Sequence, residues 1–371
     1  MTAFQFPAGL LLARLLVRGG VGGVVSALAS VGVNLALASI FLRKLLYWSD
    51  DARDPWWRVW LFEVPYAFYG AMCFMALPFA YFALVTLGLW NLFGTAPPTV
   101  IEVLGPLYAV TGAFALWASS FGRLHPVVRR YEVTIEGLSP ALEGYRIAQL
   151  SDVHCGPYLP RGVYRSWVAR ALALKPDAFA LTGDLINAGE GYLADVTDLV
   201  THMKAPDGVF ACMGNHDYFS TTEGVADAVK SGGARLLRNE HTFVRRGDAT
   251  LCFAGIDDRW TKRDDLDRAL AGVPDGVPVV LLAHDPESFR QIAEHPRKVD
   301  LTLSGHTHGG QFAVPFLSER LNLARVAHRY TAGIYRLAGR TLYVHRGMGT
   351  SGPPVRFGVP PEVVLVTLRA G

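Results

Sequence analysis

Little in this 371-residue chain points to a disulfide scaffold or to a nucleic-acid binder. Cysteine is scarce: Cys73, Cys155, Cys212 and Cys252 show neither paired spacing nor a Cys-x-x-Cys site, so no disulfide framework is expected. Charge of either sign is nearly balanced, with 35 Lys and Arg against 32 Asp and Glu for a formal net charge of +3. No basic block interleaved with aromatics occurs, so no nucleic acid is expected as a partner. The shortage of charge is also uneven. From the start to about Ser120 charged residues are few and three long apolar segments stand out, whereas the remainder has ordinary globular composition.

Those three segments are Gly20 to Leu42, Tyr66 to Phe93, and Val100 to Ser120, the last carrying only Glu102. Each exceeds the roughly 20 residues that cross a bilayer, and two more following the first argue against a cleaved signal peptide. Three spans are expected. Phe6 to Val17 is apolar too, but Arg14 interrupts it and Arg18 follows, so an interfacial helix, half of a hairpin or a fourth span stays open. Arg43, Lys44, Arg53 and Arg58 follow the first segment and Arg123, Arg129 and Arg130 the last, while Gly94 to Thr99 is uncharged. The positive-inside bias then puts both basic segments, and the part after them, in the cytoplasm. Trp56, Trp57 and Trp60 suit an interfacial aromatic belt. Residues 1–128 are thus expected to form an all-α multi-span domain of the cell membrane with the lipid bilayer as partner, and residues 129–371 a separate α/β domain.

From Tyr131 a unit recurs in which an apolar run ends in a polar cluster. Tyr145 to Leu150 ends in Ser151-Asp152-Val153-His154, Ala178 to Leu181 in Thr182-Gly183-Asp184, and Val209 to Met213 in Gly214-Asn215-His216-Asp217. Val277 to Ala283 leads to His284, and Val299 to Leu303 to Gly305-His306-Thr307-His308-Gly309-Gly310-Gln311. Helical patterns over Val163 to Ala173, Tyr192 to Met203, Thr222 to Ser231, Arg263 to Leu270 and Pro286 to Glu294 fill most of the gaps. Such alternation predicts an α/β sheet with ligands gathered beyond the carboxyl ends of its strands.

Taken singly, Asp152 suits a turn, Asp184 a helix cap and Asn215 a turn former. As a set they suit metal. Five of the eleven histidines sit at these strand ends, and every cluster offers an oxygen or imidazole ligand of the kind hard-to-borderline divalent cations take. No thiolate belongs to the set, and Cys155 and Cys212 are read as small packing residues. Hydrolysis of a phosphate ester or pyrophosphate by two cations needs one shared carboxylate with further ligands on either side. Asp184 is the candidate bridge, and a nearby histidine can protonate the leaving group or steady charge on the phosphoryl oxygens.

Asp152-x-His154, Gly183-Asp184, Gly214-Asn215-His216-Asp217, His284 and Gly305-His306-x-His308 together resemble, in order and without a missing ligand, the five blocks of the calcineurin-like metallophosphoesterases. The resemblance covers about Tyr131 to Leu368. The tail Gly309-Gly310-Gln311, the stretch Tyr343 to Ser351 and Pro361-Glu362 look like the family's membrane-associated subgroup. The resemblance implies a four-layer α/β sandwich of two mixed sheets flanked by helices, with two divalent cations from among manganese, iron and zinc. It further implies that Asp152, His154 and His308 hold one cation, Asn215, His284 and His306 the other, with Asp184 between them. His216 would be the catalytic histidine, with Asp217 orienting its ring.

The expected activity is a membrane-anchored phosphohydrolase; a sensor or scaffold that lost turnover is the rival, and the intact ligands and His216 argue against it. The expected partner is a phosphorylated small molecule or lipid, since relatives of the family include hydrolases of UDP-diacylglucosamine. From Val314 to Arg325, apolar residues mix with Arg320 and Arg325, a pattern able to lie among headgroups or to pack on the protein's own sheet. Arg356, after Gly352-Pro353-Pro354, is a further candidate phosphate contact.

Overall fold

The computed structural model describes residues 12, 16–46, 53, 55–64, 66, 100–187, 189–219, 221–313 and 322–371. The chain divides into two compact units. One takes Met1–Trp48, Pro55–Gly122 and Pro353–Val355; the other takes Ser49–Asp54, Arg123–Gly352 and Arg356–Gly371. The boundary falls a little before the expected 128/129, because Val127 and Val128 already pair with Glu362 and Val363 in a sheet of the second unit.

The first unit contains α1 (Gly23–Leu46), a turn at Trp56–Arg58 that runs into π-helical Val59–Glu63, and α2 (Val100–Ser119). Val24, Leu28 and Leu35 of α1 and all three tryptophans of the expected belt are exposed. Among the described residues no helix is long and apolar enough to cross a membrane. The described residues therefore do not bear out three spans. Apart from Tyr66, the segment Tyr66 to Phe93 lies outside them, as does most of Phe6 to Val17.

The second unit holds twelve described strands: β1 (Val127–Ile135), β2 (Arg146–Leu150), β3 (Ala178–Thr182), β4 (Val209–Cys212), β5 (Arg235–Leu236), β6 (Glu240–Arg246), β7 (Ala249–Gly255), β8 (Val279–Leu282), β9 (Leu301–Ser304), β10 (Gly333–Leu337), β11 (Arg340–Val344) and β12 (Glu362–Ala370). They form two six-stranded sheets, ordered β1-β12-β2-β3-β4-β5 and β10-β11-β9-β8-β7-β6. Both sheets are mixed. β12 lies parallel to β1 and antiparallel to β2, while β2, β3, β4 and β5 run parallel; β7, β8, β9 and β11 are parallel, with β6 and β10 antiparallel at the edges.

Strands buried on both faces read as unbroken apolar runs, which is why β2, β3, β4, β8 and β9 were visible in the sequence. Their side chains still sort by alternation. Ile147, Ala178, Ala180 and Phe210 enter the core between the sheets with Leu251, Phe253, Val280 and Leu303. Ala148, Leu150, Phe179, Leu181 and Ala211 face the other way, toward α3 (Arg161–Leu172), α4 (Leu193–His202) and α5 (Thr222–Ser231). On α3 the buried residues Tyr164, Trp167, Val168 and Ala171 recur at the helical i, i+3, i+4, i+7 spacing. Beyond the second sheet, Ala254, Val279 and Leu281 pack on α6 (Leu266–Leu270) and α7 (Phe289–Glu294). Helices, sheet, sheet, helices make the expected four layers. Phe210 stacks on Phe253 with ring centroids 4.1 Å apart across the sheet interface, so truncating either to Ala would cost about 3–5 kcal/mol.

Candidate metal centre

The carboxyl ends of β2, β3, β4, β8 and β9 each release a short turn, and these turns meet. Parallel strands align their ends on one side of a sheet, and the loops after β2 and β3 run side by side: Asp152 N donates to Gly183 O and His154 N to Asp184 O. Across the cleft Gly305 N donates to His284 O. Five of the expected ligands, Asp152, His154, Asp184, His306 and His308, have φ between 50° and 70°, a left-handed conformation that costs a non-glycine residue of order 1–3 kcal/mol. That strain is concentrated where five imidazole and carboxylate groups must converge.

Two groups of potential ligands share one residue. Asp152, His154, Asp184 and His308 bring ligand atoms within 4.8 Å of one another, and so do Asp184, His284 and His306. His154 Nε2 lies 3.0 Å from His308 Nε2 and 3.7 Å from Asp184 Oδ2; His284 Nε2 lies 3.2 Å from the same oxygen, and His308 Nε2 3.5 Å from Asp152 Oδ1. Asn215 joins the second group through its Oδ1, 2.9 Å from His306 Nδ1. All seven expected ligands are therefore assembled.

The donor set fits divalent cations on three counts. Two imidazole nitrogens facing at 3.0 Å repel unless a proton or cation lies between them. Asp152 Oδ2 and His284 Nε2 are buried without hydrogen-bond partners, a costly arrangement unless something else satisfies them. Burial also holds His154 and His308 well below the ordinary imidazole range, and burial with His284 brings His306 down to about 4, so all three are neutral as ligation requires. Burial, reinforced by the Asp184 charge, raises Asp152 to about 7. For Asp184 the pull of burial is outweighed first of all by His284, which keeps it well below the carboxylate range, and in turn Asp184 and Asp152 overcome burial to hold His284 well above the imidazole range, so that a cation bound there would take the place of a proton. Divalent charge in the cleft would hold both carboxylates ionised.

Hydrogen bonds fix the orientation of these groups. His284 Nδ1 donates to Thr182 O at 2.7 Å, which aims Nε2 at Asp184 Oδ2. Asp184 Oδ1 accepts from His216 N, and Asp152 Oδ1 from His306 N. Gly305 is required by close approach, because a Cβ there would lie 2.0 Å from Ser151 Oγ and 2.2 Å from Asp152 Oδ2.

A family model described as "Calcineurin-like phosphoesterase" matches residues 145–310, the span that supplies all of these ligands. An uncharacterized metallophosphoesterase of Aquifex aeolicus (strain VF5) is 34% identical over 252 residues, covering 65% of this chain and 91% of that protein. The chain belongs to the calcineurin-like phosphoesterase family. It is a metal-dependent phosphoesterase. The uncharacterized metallophosphoesterase YkuE of Bacillus subtilis (strain 168) is 30% identical over 232 residues, 62% of this chain and 80% of its own. A "Transmembrane protein with metallophosphoesterase domain" of Danio rerio is 31% identical over 272 residues; the match covers 70% of this chain and spans 61% of the fish protein.

In this phosphoesterase two expected roles need correction. Asp217 does not orient His216. Its carboxylate accepts from the backbone N–H groups of Asp184, Leu185, Ile186 and Gly214, tying the β3 and β4 turns together, while His216 Nδ1 donates to Asn187 O at 2.7 Å. Adjacent side chains on the 3-10 turn Asn215–Tyr218 diverge, so nearness in sequence did not become contact. Arg356 is not an open phosphate contact. It is buried, donating to Gly349 O and standing 3.1 Å from His308 Nδ1, so it braces a ligand from behind. Arg325 is exposed on the turn Leu323–Val326, and Arg320 lies outside the described residues.

Sequence reading missed Asn187, Ser351, Phe219 and Trp260. Ser351 Oγ lies 3.3 Å from His216 Nε2, the ring of Phe219 is 4.6 Å from that of His216, and Trp260 is 6.4 Å from His306. None belongs to a ligand motif; Asn187 and Phe219 lie just beyond loops that do, Ser351 ends the Tyr343 to Ser351 stretch noted above, and Trp260 had no signal. Cys155 and Cys212 pack in the cores as read, and burial pushes the Cys155 thiol up to about 12.

Proposed function

We propose that this phosphoesterase is anchored to the cell membrane and cleaves a phosphoester or pyrophosphate bond of a lipid-linked substrate, using two divalent cations. The observation that carries the pair of cations is the sharing of Asp184 Oδ2 between His154 on one side and His284 on the other. Asp152, His154 and His308 would hold one cation and Asn215, His284 and His306 the other, with Asp184 bridging. Nitrogen and oxygen ligation suits manganese, iron or zinc. When bound, such a pair supplies charge against the phosphoryl oxygens and water activated near neutral pH.

The protein's own groups do the rest. With Nδ1 committed to Asn187 O, His216 keeps Nε2 for the reaction, and in its protonated form that nitrogen can donate to the leaving-group oxygen. Asp217 holds the turns on which Asp184 and His216 ride, so the acid and the bridging carboxylate keep a fixed separation.

Support for the membrane comes from the exposed apolar side chains of α1 and from exposed Trp56, Trp57 and Trp60, which suit a headgroup layer. The Danio rerio and Bos taurus relatives, each named a transmembrane protein with a metallophosphoesterase domain, support the same reading. Support for a lipid substrate is Val326, 89% exposed beside exposed Arg325, an apolar and cationic pair of the kind that meets headgroups and acyl chains together.

The test is hydrolysis by the purified, manganese-loaded protein of a lipid-linked pyrophosphate in mixed micelles against its water-soluble headgroup analogue. Faster cleavage of the lipid form, abolished by chelator, is expected. Equal rates on both would leave a general phosphoesterase, and no hydrolysis of any phosphate ester with any of the three metals would favour the silent scaffold.

A further inference from the structure

Away from the ligands, β5, the start of β6 and the loop after β7 enclose a second cleft of ≈ 540 Å³, within the size range of small-molecule sites. Its lining carries four cations, Lys230, Arg238, Arg263 and Arg268, against two carboxylates, Glu240 and Asp257. One pair cancels: Arg238 Nε lies 3.1 Å from Asp257 Oδ2, and Asp257 is otherwise held by Tyr218 and by Asn239. Among the described residues Lys230, Arg263 and Arg268 have no carboxylate partner, and neither has Glu240. Three unpaired cations around one concave, mostly polar surface leave an excess of positive charge that nothing in the fold requires.

We infer that this cleft is a second anion site, taking a phosphate group of a small molecule. A recess suits a compact anion that several side chains can surround, whereas a flat anionic bilayer would reach only its rim. Arg238 and Arg263 present planar N–H forks that fit phosphate oxygens, and Lys230 adds a point charge. Arg238 spends its Nη1 on Glu223, itself largely exposed, a partner that an anion can displace at little cost.

The cleft is also wired to the catalytic turn. Tyr218 closes the turn that carries Asn215 and His216; its hydroxyl donates to Asp257 and accepts from Arg238 Nη2, and the Arg263 guanidinium sits 5.1 Å from its ring centroid. An anion drawing Arg238 and Arg263 toward itself therefore acts on the residue two places from His216. The site goes beyond the reaction proposed at the metals and does not depend on it.

The probe is inorganic phosphate, counted by equilibrium dialysis on the full-length, detergent-solubilised, metal-loaded protein. Two phosphates per chain are expected, falling to one in the Lys230→Gln, Arg263→Gln, Arg268→Gln triple variant, with its metal content and melting temperature kept. The second phosphate should weaken steeply with salt, as a site built on several cations must. The same number of bound phosphates per chain in the unaltered protein and in the triple variant overturns the inference. Two further arms separate the sources of that phosphate. If it is the distal group of the substrate, the triple variant raises KM about 10-fold for fructose 1,6-bisphosphate and not for fructose 6-phosphate. If it is free phosphate, the two KM values keep their ratio while the second phosphate is still lost from the count. Absence of hydrolysis would strike the metal reading alone, because the count of bound phosphate is taken without turnover.

Discussion

The two sheets contribute unequally to the metal centre. The first supplies both candidate carboxylate ligands, Asp152 and Asp184, together with His154, Asn215 and His216, from the ends of β2, β3 and β4; the second supplies only imidazoles, His284, His306 and His308, from β8 and β9. Negative charge thus comes from one sheet, and directional imidazole nitrogens mostly from the other. Charge governs whether cations are held at all, while imidazole geometry governs where, because each ring is pinned by a second bond such as His284 to Thr182 O. The centre exists only when both sheets present their turns at the right distance, which the shared core of Phe210, Phe253 and Leu303 enforces.

Breaking the carboxylate side should have the largest effect. Asp184→Ala removes the one oxygen within reach of both ligand groups and is expected to strip bound metal altogether, with turnover falling to background. His306→Ala removes a ligand of the second group alone and should leave about one metal per chain by elemental analysis. His216→Ala, which takes away no expected ligand, should keep full metal content and lose turnover by ~100-fold or more. Equal metal loss in all three would erase the distinction between holding charge and using it.

A smaller change tests the spacing between the sheets. The Cβ of Gly305→Ala would collide with Asp152 Oδ2 and Ser151 Oγ, pushing the β9 turn off the first-sheet carboxylate. Metal affinity should fall about 10–100-fold, as when the support of a metal ligand is lost, with the circular dichroism spectrum unchanged. Gly276→Ala is the control: its φ of +79° is strained but a Cβ there meets nothing within 4 Å, so about 1–2 kcal/mol of stability and no metal should be lost. Metal affinity unaffected by Gly305→Ala would mean that the turns tolerate more play than their contacts suggest.

The candidate ligand set was legible in the sequence because each of its residues follows a buried strand, and such strands announce themselves as short apolar runs. Asp152, Asp184, Asn215, His284 and the His306/His308 pair could all be placed that way. The order of strands within the sheets could not, since β12 arrives from the end of the chain to pair between β1 and β2. Side-chain direction was equally out of reach. Arg356 follows a Gly-Pro-Pro turn that reads as surface, yet it folds beneath His308, and burial brings it down to about 10. Asp217 adjoins His216 but serves the backbone of the neighbouring strand's turn. The apolar first third read as three spans because hydropathy registers composition; the described residues contain no helix that qualifies.

The smallest expected effect concerns the mouth of the cleft, where each sheet sends out one exposed aromatic. Phe219 follows the β4 turn and contacts His216; Trp260 follows β7 and contacts His306; their ring centroids are 6.1 Å apart, edge to face. Phe219 is 45% exposed and Trp260 64%, although burying them would be favourable, which suits rings that wait for the apolar part of a substrate next to its phosphate. A contact of that kind is worth about 0.5–1.5 kcal/mol, so Phe219→Ala and Trp260→Ala should each raise KM for bis-p-nitrophenyl phosphate by about 2- to 10-fold with kcat nearly unchanged. Inorganic pyrophosphate, which has no apolar part, should show no change. If one substrate bridges both rings, the double variant loses less than the product of the single losses, because the second truncation removes a partner already gone. Full additivity on bis-p-nitrophenyl phosphate would place the rings on separate parts of the substrate, and an equal KM rise for pyrophosphate would make them props of the metal turns instead.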